Sequence, residues 1–322
     1  MKNIVQLKNK SNTNEDICHM LIEKRIPFRY VFRKIKNDVL RVLLFSVAFH
    51  LLKYFFSDYL PLVPFQLPTI LGISISLLLA FKLNQSYDRW WEARKVWGAI
   101  VNDSRSLVLQ LKGFVDESLR STEESSTIIR LAHRQIAWCY CLGQSLRGLE
   151  PISEKQQELL HEQDLTFIQK QNNKPYALLM LHMRDLKDLH QKEAVNDFQQ
   201  VQLDNTMVRL CDSMGKAERI NNTVFPVTYG LFLHFFIYLF LVILSLALVE
   251  TIGLYEIPVL TLIASTFFLI EKTAKHMQDP FRNKPTDTSV TAIARTIEIN
   301  IKQVLQEPEV PKPLAPEKFY IM

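Results

Sequence analysis

Histidine and cysteine are the residues of this chain best suited to hold a metal, move a proton or attack a carbonyl, and their spacing supports none of these. His133, His161, His182 and His190 crowd the central third and invite a metal or acid–base reading. No HExxH pair, nucleophile elbow or glycine-rich phosphate loop accompanies them. Scattered histidines of this kind are surface or satisfied core residues far more often than ligands. Cys18, Cys139, Cys141 and Cys211 form neither a paired metal spacing nor a secreted disulfide framework, because Cys139 and Cys141 are separated by a single residue. They read as free thiols facing a reducing cytosol. The expectation is therefore no enzyme, no metal and no cofactor. A net charge of +5 gives nucleic-acid binding little support, since basic residues are not gathered into one stripe among aromatic platforms.

Another spacing is more informative. Ile73, Leu77 and Phe81 recur every four residues, one above another on a helix, beside a stripe of small residues, Gly72, Ser76 and Ala80. The small stripe would let neighbouring helices approach closely. Several copies around an axis would set the three large residues into a hydrophobic constriction three rings deep, of the kind that gates ions by dewetting. On periodicity alone the commoner reading is that Ile73, Leu77 and Phe81 are ordinary packing residues, since apolar stripes normally mark cores.

These residues lie in one of several apolar runs that a charged fraction of 22% would not by itself reveal. Tyr59 to Phe81 has 23 residues without a formal charge and Val224 to Val249 has 26, against the roughly 20 needed to cross a bilayer. Pro61, Pro64 and Pro68 open the first of these, with an extended segment expected up to Pro68 and a helix from its first turn onward. A shorter run, Val39 to Phe56, carries Arg41, His50 and Lys53. Another, Ile257 to Ile270, has 14 residues, with Thr251 to Tyr255 available to lengthen it. His50 and His234 fall inside such spans, where they are either proton-sensitive or hydrogen-bonded from helix to helix. Four spans result, and basic residues orient them. Lys24, Arg25, Arg29, Arg33, Lys34, Lys36 and Arg41 precede the first; Lys82, Arg89, Arg94 and Lys95 follow the second; Lys216 and Arg219 precede the third; Lys272 and Lys275 follow the fourth. The connectors Ser57 to Val63 and Glu250 to Glu256 contain no Lys or Arg. Two outward hairpins with both termini cytoplasmic satisfy every count.

The expected architecture is all-α. A cytosolic segment (1–38) precedes a transmembrane hairpin (39–81), a cytosolic helical block (82–223), a second hairpin (224–270), and a C-terminal helix with an extended proline-rich tail (271–322). Within the block, apolar residues at helical spacing predict helices over Thr127 to Leu146, Pro175 to His190 and Asp197 to Ile220. The segment SYDRWWEARKVWG carries the second span out of the apolar run without a break until Gly98. Trp90, Trp91 and Trp97 are expected at the headgroups, and Arg89, Glu92, Arg94 and Lys95 are expected to pair.

The run PFQLPTILGISISLLLAFKLNQSYDRWWEARKVWG resembles the second transmembrane helix and following segment of bacterial and plant-type bestrophins. ERINNTVFPVTY and the stretch Gln278, Asp279, Pro280, Phe281 resemble later landmarks of that family in the right order, so that the likeness covers roughly residues 25 to 320. The resemblance implies a homopentameric ion channel in the cell membrane, with lipid, monovalent ions and its own copies as partners. It places the neck on Ile73, Leu77 and Phe81, and it marks Arg89, Trp90, Trp91, Glu92 and Arg94 as the family motif. A second constriction at the cytosolic exit falls near Phe198, with Asp197 beside it as a carboxylate that would favour cations if it faces water. Where animal members carry acidic calcium ligands, this chain has Arg282, Asn283, Lys284, Pro285 and Thr286, and Asp287 alone cannot supply six to eight oxygens, so no calcium clasp is expected. Ion sign stays open between anions, the family label, and monovalent cations, which bacterial members can pass. A non-conducting membrane scaffold is the remaining alternative.

Overall fold

The computed structural model describes residues 28–56, 59, 61, 63–115, 122–223 and 225–315, and among these the regular structure is helical. Cys18 lies outside the described residues. Helix α1 spans Phe28–Phe55, α2 Gln66–Phe114, α3 Thr122–Leu146, α4 Glu154–Gln157, α5 Glu162–Gln169, α6 Lys174–Gln191, α7 Asp197–Asn222, α8 Val227–Ile252, α9 Glu256–Gln278 and α10 Val290–Val304.

The apolar residues collect into two cores. One is built from α1, α2, α8 and α9 around Val42, Ile75, Leu79, Ile237, Leu241 and Ala264. The other is larger and is built by α2, α3, α6, α7 and α10, with Trp97, Trp138 and Ile297 fully buried. Among the described residues α2 is the helix that enters both. Its 49 residues span about 74 Å at 1.5 Å per residue, more than twice a bilayer's hydrocarbon thickness. Gly98 does not interrupt it. The predicted boundary between Phe81 and Lys82 therefore falls inside one continuous helix.

By length and composition α2, α8 and α9 are apolar enough to cross a membrane. Helix α1, which carries Arg41, His50 and Lys53, is less apolar. Its Lys53 is nevertheless buried, donating to the Glu256 carboxylate on α9 at 2.5 Å and to the Ser245 carbonyl on α8 at 2.7 Å. A second buried pair joins Lys82 on α2 to Glu271 on α9 at 2.7 Å. Each charge is desolvated but matched, which is the condition under which such groups persist inside a protein. These pairs also correct the expected end of the last span. Helix α9 is lengthened through Glu271 to Gln278, because Lys82 neutralises Glu271. Of Thr251 to Tyr255, the first two residues end α8, while Gly253 to Tyr255 form a short 3-10 turn that opens the last apolar span, with Gly253 at a φ of 52°.

The predicted cytosolic helices are present with slightly longer bounds, and α3 already begins within the STEESS stretch. Ile128, Leu131, Ala132, Gln135 and Ile136 all point into the core, as their spacing requires. Trp97 is fully buried in the larger core, seven residues beyond Trp90 along α2. The tail from Glu307 to Ala315 is non-helical, and Glu307 ties it back to His133 on α3 at 2.5 Å.

Candidate functional site: one face of α2 and its supports

On the outer half of α2 the burial pattern separates two faces. Ile75 and Leu79 pack inward against α8 and α9, whereas Ile73, Leu77 and Phe81 are 67%, 72% and 54% exposed on the single chain. Three large apolar side chains in one row, left mostly open by the described residues, are suited to contact with lipid or another copy. The hydroxyls near this row make no demand on a partner. Thr69, Ser74 and Ser76 each donate to the carbonyl four residues earlier, at 2.7, 2.9 and 2.8 Å. Of the small residues, Gly72 is where α8 comes close, since a Cβ there would meet the Phe240 ring at 3.2 Å. Ser76 and Ala80 stay exposed on the chain.

Phe81 is braced from behind. Its ring lies 6.4 Å from that of Tyr229, and the Tyr229 hydroxyl donates to the Leu78 carbonyl at 2.8 Å. Tyr229 was not legible in the sequence as a support, because its partner is 151 residues away.

Two turns further along α2 the motif residues form a joint. Arg89 donates to the Ile220 carbonyl at 2.8 Å and to the Gln278 carbonyl at 3.0 Å, in the last turns of α7 and α9. Terminal carbonyls lack helical partners and carry the negative end of the helix dipole, so one guanidinium satisfies two helix ends. Trp90 donates to the Thr286 carbonyl at 2.9 Å, and Tyr87, Trp90 and Trp91 stack in series. Glu92 pairs with Lys95 at 2.7 Å as the spacing predicts, while Arg94 lies half-buried beside Gly98. Arg89, expected to find an acid, binds carbonyls.

Helix α7 carries the second candidate constriction. Its last turn meets Arg89, its middle meets α2 through Arg209 and Asp103 at 2.8 Å, and its start meets the Phe114 carbonyl through Gln199 at 3.4 Å. It therefore runs antiparallel to the inner half of α2. Asn196 and Gln199 form a reciprocal capping box at its start. Asp197 and Phe198 project from that capped turn, with Phe198 85% exposed. Along α2, Phe81 and Phe114 are about 50 Å apart by helix rise, so the two candidate constrictions stand at widely separated levels. Asp197 faces His190 at 3.4 Å.

The remaining histidines do not converge. His133 holds Glu307, His161 precedes α5, and His190 contacts the Val195 carbonyl at 3.2 Å. His182 is wholly buried with neither nitrogen hydrogen-bonded, and burial beside Arg134 holds it well below the usual imidazole range. The Cys139 and Cys141 thiols are pushed up to about 12 by burial, which removes the thiolate a nucleophile needs. Among the described residues no three His, Cys, Asp or Glu gather into a metal-binding group. Asp287 is buried, accepts from the Lys284 amide at 3.0 Å, and is raised by burial.

Residues 24–303 match the family model for bacterial/fungal bestrophin proteins. The chain belongs to the bestrophins. Similar relatives carry a common description. The voltage-dependent anion channel-forming protein YneE of Escherichia coli K12 is 29% identical over 293 residues, covering 90% of this chain and 93% of the relative. The voltage-dependent anion channel-forming protein alr2987 of Nostoc is 31% identical over 231 residues, covering 71% and 74%. The crystal structure of a bacterial bestrophin homologue from Klebsiella pneumoniae superposes with a TM-score of 0.78 at 26% identity, covering 85% of this chain and all of that one. This bestrophin is thus an all-helical membrane protein.

Proposed function

We propose that this bestrophin is a homopentameric channel through which small monovalent ions flow passively across the cell membrane, with no covalent chemistry. The observation that carries the reading is the bare row Ile73, Leu77 and Phe81 on α2. Five copies of α2 around an axis cover those side chains with one another and form three hydrophobic rings. A ring of that kind lets ions pass only when water fills it, so the neck is the gate. The joint at Arg89 fixes the direction of α2 below the neck, and Phe198 forms a second, cytosolic constriction. Gly72, Ser76 and Ala80 are the sites of close helix approach. Helix α1 crosses with α2, α8 and α9, giving four spans with both termini cytoplasmic. Lipid, other copies of the chain and the permeant ions are its partners.

The descriptions of the YneE and alr2987 relatives favour anions. A second reading, a monovalent cation channel of the same architecture, is favoured by Asp197, whose exposed carboxylate stands next to Phe198 and would form a ring of five at the exit.

Planar-bilayer recording of the purified protein under asymmetric salt tests both. A reversal potential toward the anion equilibrium value supports the first reading, and the opposite sign supports the second. An intact pentamer that passes no ions in the wild type or in an Ile73→Ala, Leu77→Ala, Phe81→Ala variant contradicts the channel reading and leaves a membrane scaffold.

A further inference from the structure

Helix α9 carries two buried carboxylates 15 positions apart, which is about 22 Å along its axis, and each is built into the same three-residue arrangement. Near the start of the helix, Glu256 accepts at Oε1 from the Lys53 ammonium and from the Ser245 hydroxyl. Its other oxygen, Oε2, is buried and accepts no hydrogen bond. The His50 ring on α1 faces that oxygen, with Nδ1 3.5 Å away and likewise without a hydrogen bond. Near the other end, Glu271 accepts at Oε1 from the Lys82 ammonium at 2.7 Å, and Nε2 of His234 on α8 lies 3.9 Å from its Oε2.

The tautomer of His234 follows from its second contact. Nδ1 is 3.0 Å from the Gly230 carbonyl, which only accepts, so Nδ1 carries the proton of the neutral ring. Nε2 then turns a lone pair toward a carboxylate, and the two repel until a second proton arrives. Protonation converts that approach into a charge-assisted hydrogen bond. At His50, where no contact fixes the neutral tautomer, the protonated ring necessarily carries Nδ1–H and so supplies the donor that Glu256 Oε2 lacks. Helix-to-helix hydrogen bonding, the simpler expectation for both rings, is not what is found: His50 makes no hydrogen bond at Nδ1 and His234 bonds its own helix.

Among the described residues the surroundings add no competing acid. From the elements packed around Glu256, the charged and titratable groups are Lys53 and His50 on α1. Around Glu271 they are Lys82 on α2 and His234 on α8, and the neighbouring Lys272 is paired with Asp38 on α1, which also faces Arg41 at 3.6 Å. Each Lys–Glu pair is neutral as a unit, so one added proton changes the unit's charge by a full unit in a low-dielectric setting.

We infer that the His50–Glu256 and His234–Glu271 contacts are two proton-binding sites, one toward each side of the membrane, through which pH on either side changes how tightly α9 is held to α1 and α8. The assignment of the His50 site to the outer side and the His234 site to the cytoplasmic side rests on the topology proposed above. Helix α8 packs on this half of α2, with Phe240 against Gly72 and Tyr229 against Phe81, and α9 shares the same core through Leu260 and Ala264 and sets Phe267 against Phe240, so the hold between α8 and α9 is felt at the row that forms the neck.

The test uses wild type, His50→Gln and His234→Gln, each as purified full-length protein, over pH 5 to 8, where an unperturbed imidazole changes charge. Thermal melting of the detergent-solubilised oligomer is recorded first, since it requires no conduction. The melting temperatures of wild type and each variant are expected to separate or converge as pH falls, a difference to which His182 contributes nothing because it is common to all three. Bilayer recording with pH varied on one side at a time is expected to lose its dependence on outer pH in His50→Gln and on cytoplasmic pH in His234→Gln. Melting curves of wild type and both variants that keep a constant separation from pH 8 to 5 overturn the inference. Protein that melts as expected but never conducts overturns the channel reading and leaves the proton sites standing. Conductance responses on the opposite sides overturn the topology and leave the sites standing.

Discussion

The two halves of α2 are one helix under opposite conditions. From Ala93 to Leu111 one face is buried in the larger core, with Ala93, Trp97, Ile100, Leu107 and Leu111 wholly buried, and the open face is mainly polar, with Lys95, Asn102 and Arg105 beside Leu109. From Gln66 to Phe81 the open face is apolar instead, and the row Ile73, Leu77, Phe81 is left mostly uncovered by the described residues, with Tyr229 bracing Phe81 from one side. The inner half has the packing of a soluble protein, and the outer half presents an apolar row that the described residues leave open. A rigid anchored helix with an unfinished end is suited to building a pore from copies, because the anchor sets where the bare row points.

The contrast is broken most severely by Trp97→Ala, which empties a fully buried indole site and should cost about 3–5 kcal/mol of stability, read as a large fall in melting temperature of the purified protein. Leu77→Ala on the bare row should by the same measurement cost far less on the isolated chain. Equal losses would mean that the row is ordinary core.

Arg89→Ala comes next. It strips one charged donor from two helix ends, at about 1.5–3 kcal/mol for each charge-assisted bond before relaxation, and it should loosen α7 and α9 together. Amide hydrogen exchange in the last turns of both helices checks this, and faster exchange in only one would show that the joint is not shared.

On the outer half, combining Ile73→Ala, Leu77→Ala and Phe81→Ala should raise single-channel current or open probability about tenfold, equivalent to lowering a barrier by about 1.4 kcal/mol. The inner half has a pH response of its own. Burial holds His182 well below its usual value of 6.5, so the folded block keeps it neutral while the unfolded chain protonates it. Stability is therefore full above about pH 6.5 and falls as pH drops, by up to about 1.4 kcal/mol per unit. His182→Leu should flatten that slope in acid melting curves. The smallest effect is expected from Asp197→Asn, which should shift the reversal potential toward anions without altering stability.

The sequence makes the spans legible because a bilayer demands long uncharged runs, and α2, α8 and α9 lie where those runs lie. Helices α3, α6 and α7 were equally readable from their buried spacing. What stayed hidden depends on partners far along the chain. Nothing local to Lys53 or Lys82 announces Glu256 or Glu271, so α9 looked shorter than it is. Nothing local to Trp97 distinguishes an interfacial indole from a core one. At the site itself, periodicity yields two adjacent stripes on α2 but not that the large one lies open while α8 meets the small one at Gly72. The resemblance to bestrophins selected Ile73, Leu77 and Phe81, and burial then separates those residues from Ile75 and Leu79.

The measurement that reaches the central claim most directly is accessibility of Leu77. Leu77→Cys is prepared with Cys18→Ser and Cys211→Ser, leaving only the buried thiols Cys139 and Cys141, and a charged, water-soluble thiol reagent is applied during bilayer recording. Modification at the middle ring of a water-filled neck is predicted to change the current abruptly and irreversibly, while the same background with Leu77 retained does not respond. An introduced thiol that lipid or a packed interface keeps from the reagent, with current unchanged, would contradict a pore lined by this face of α2.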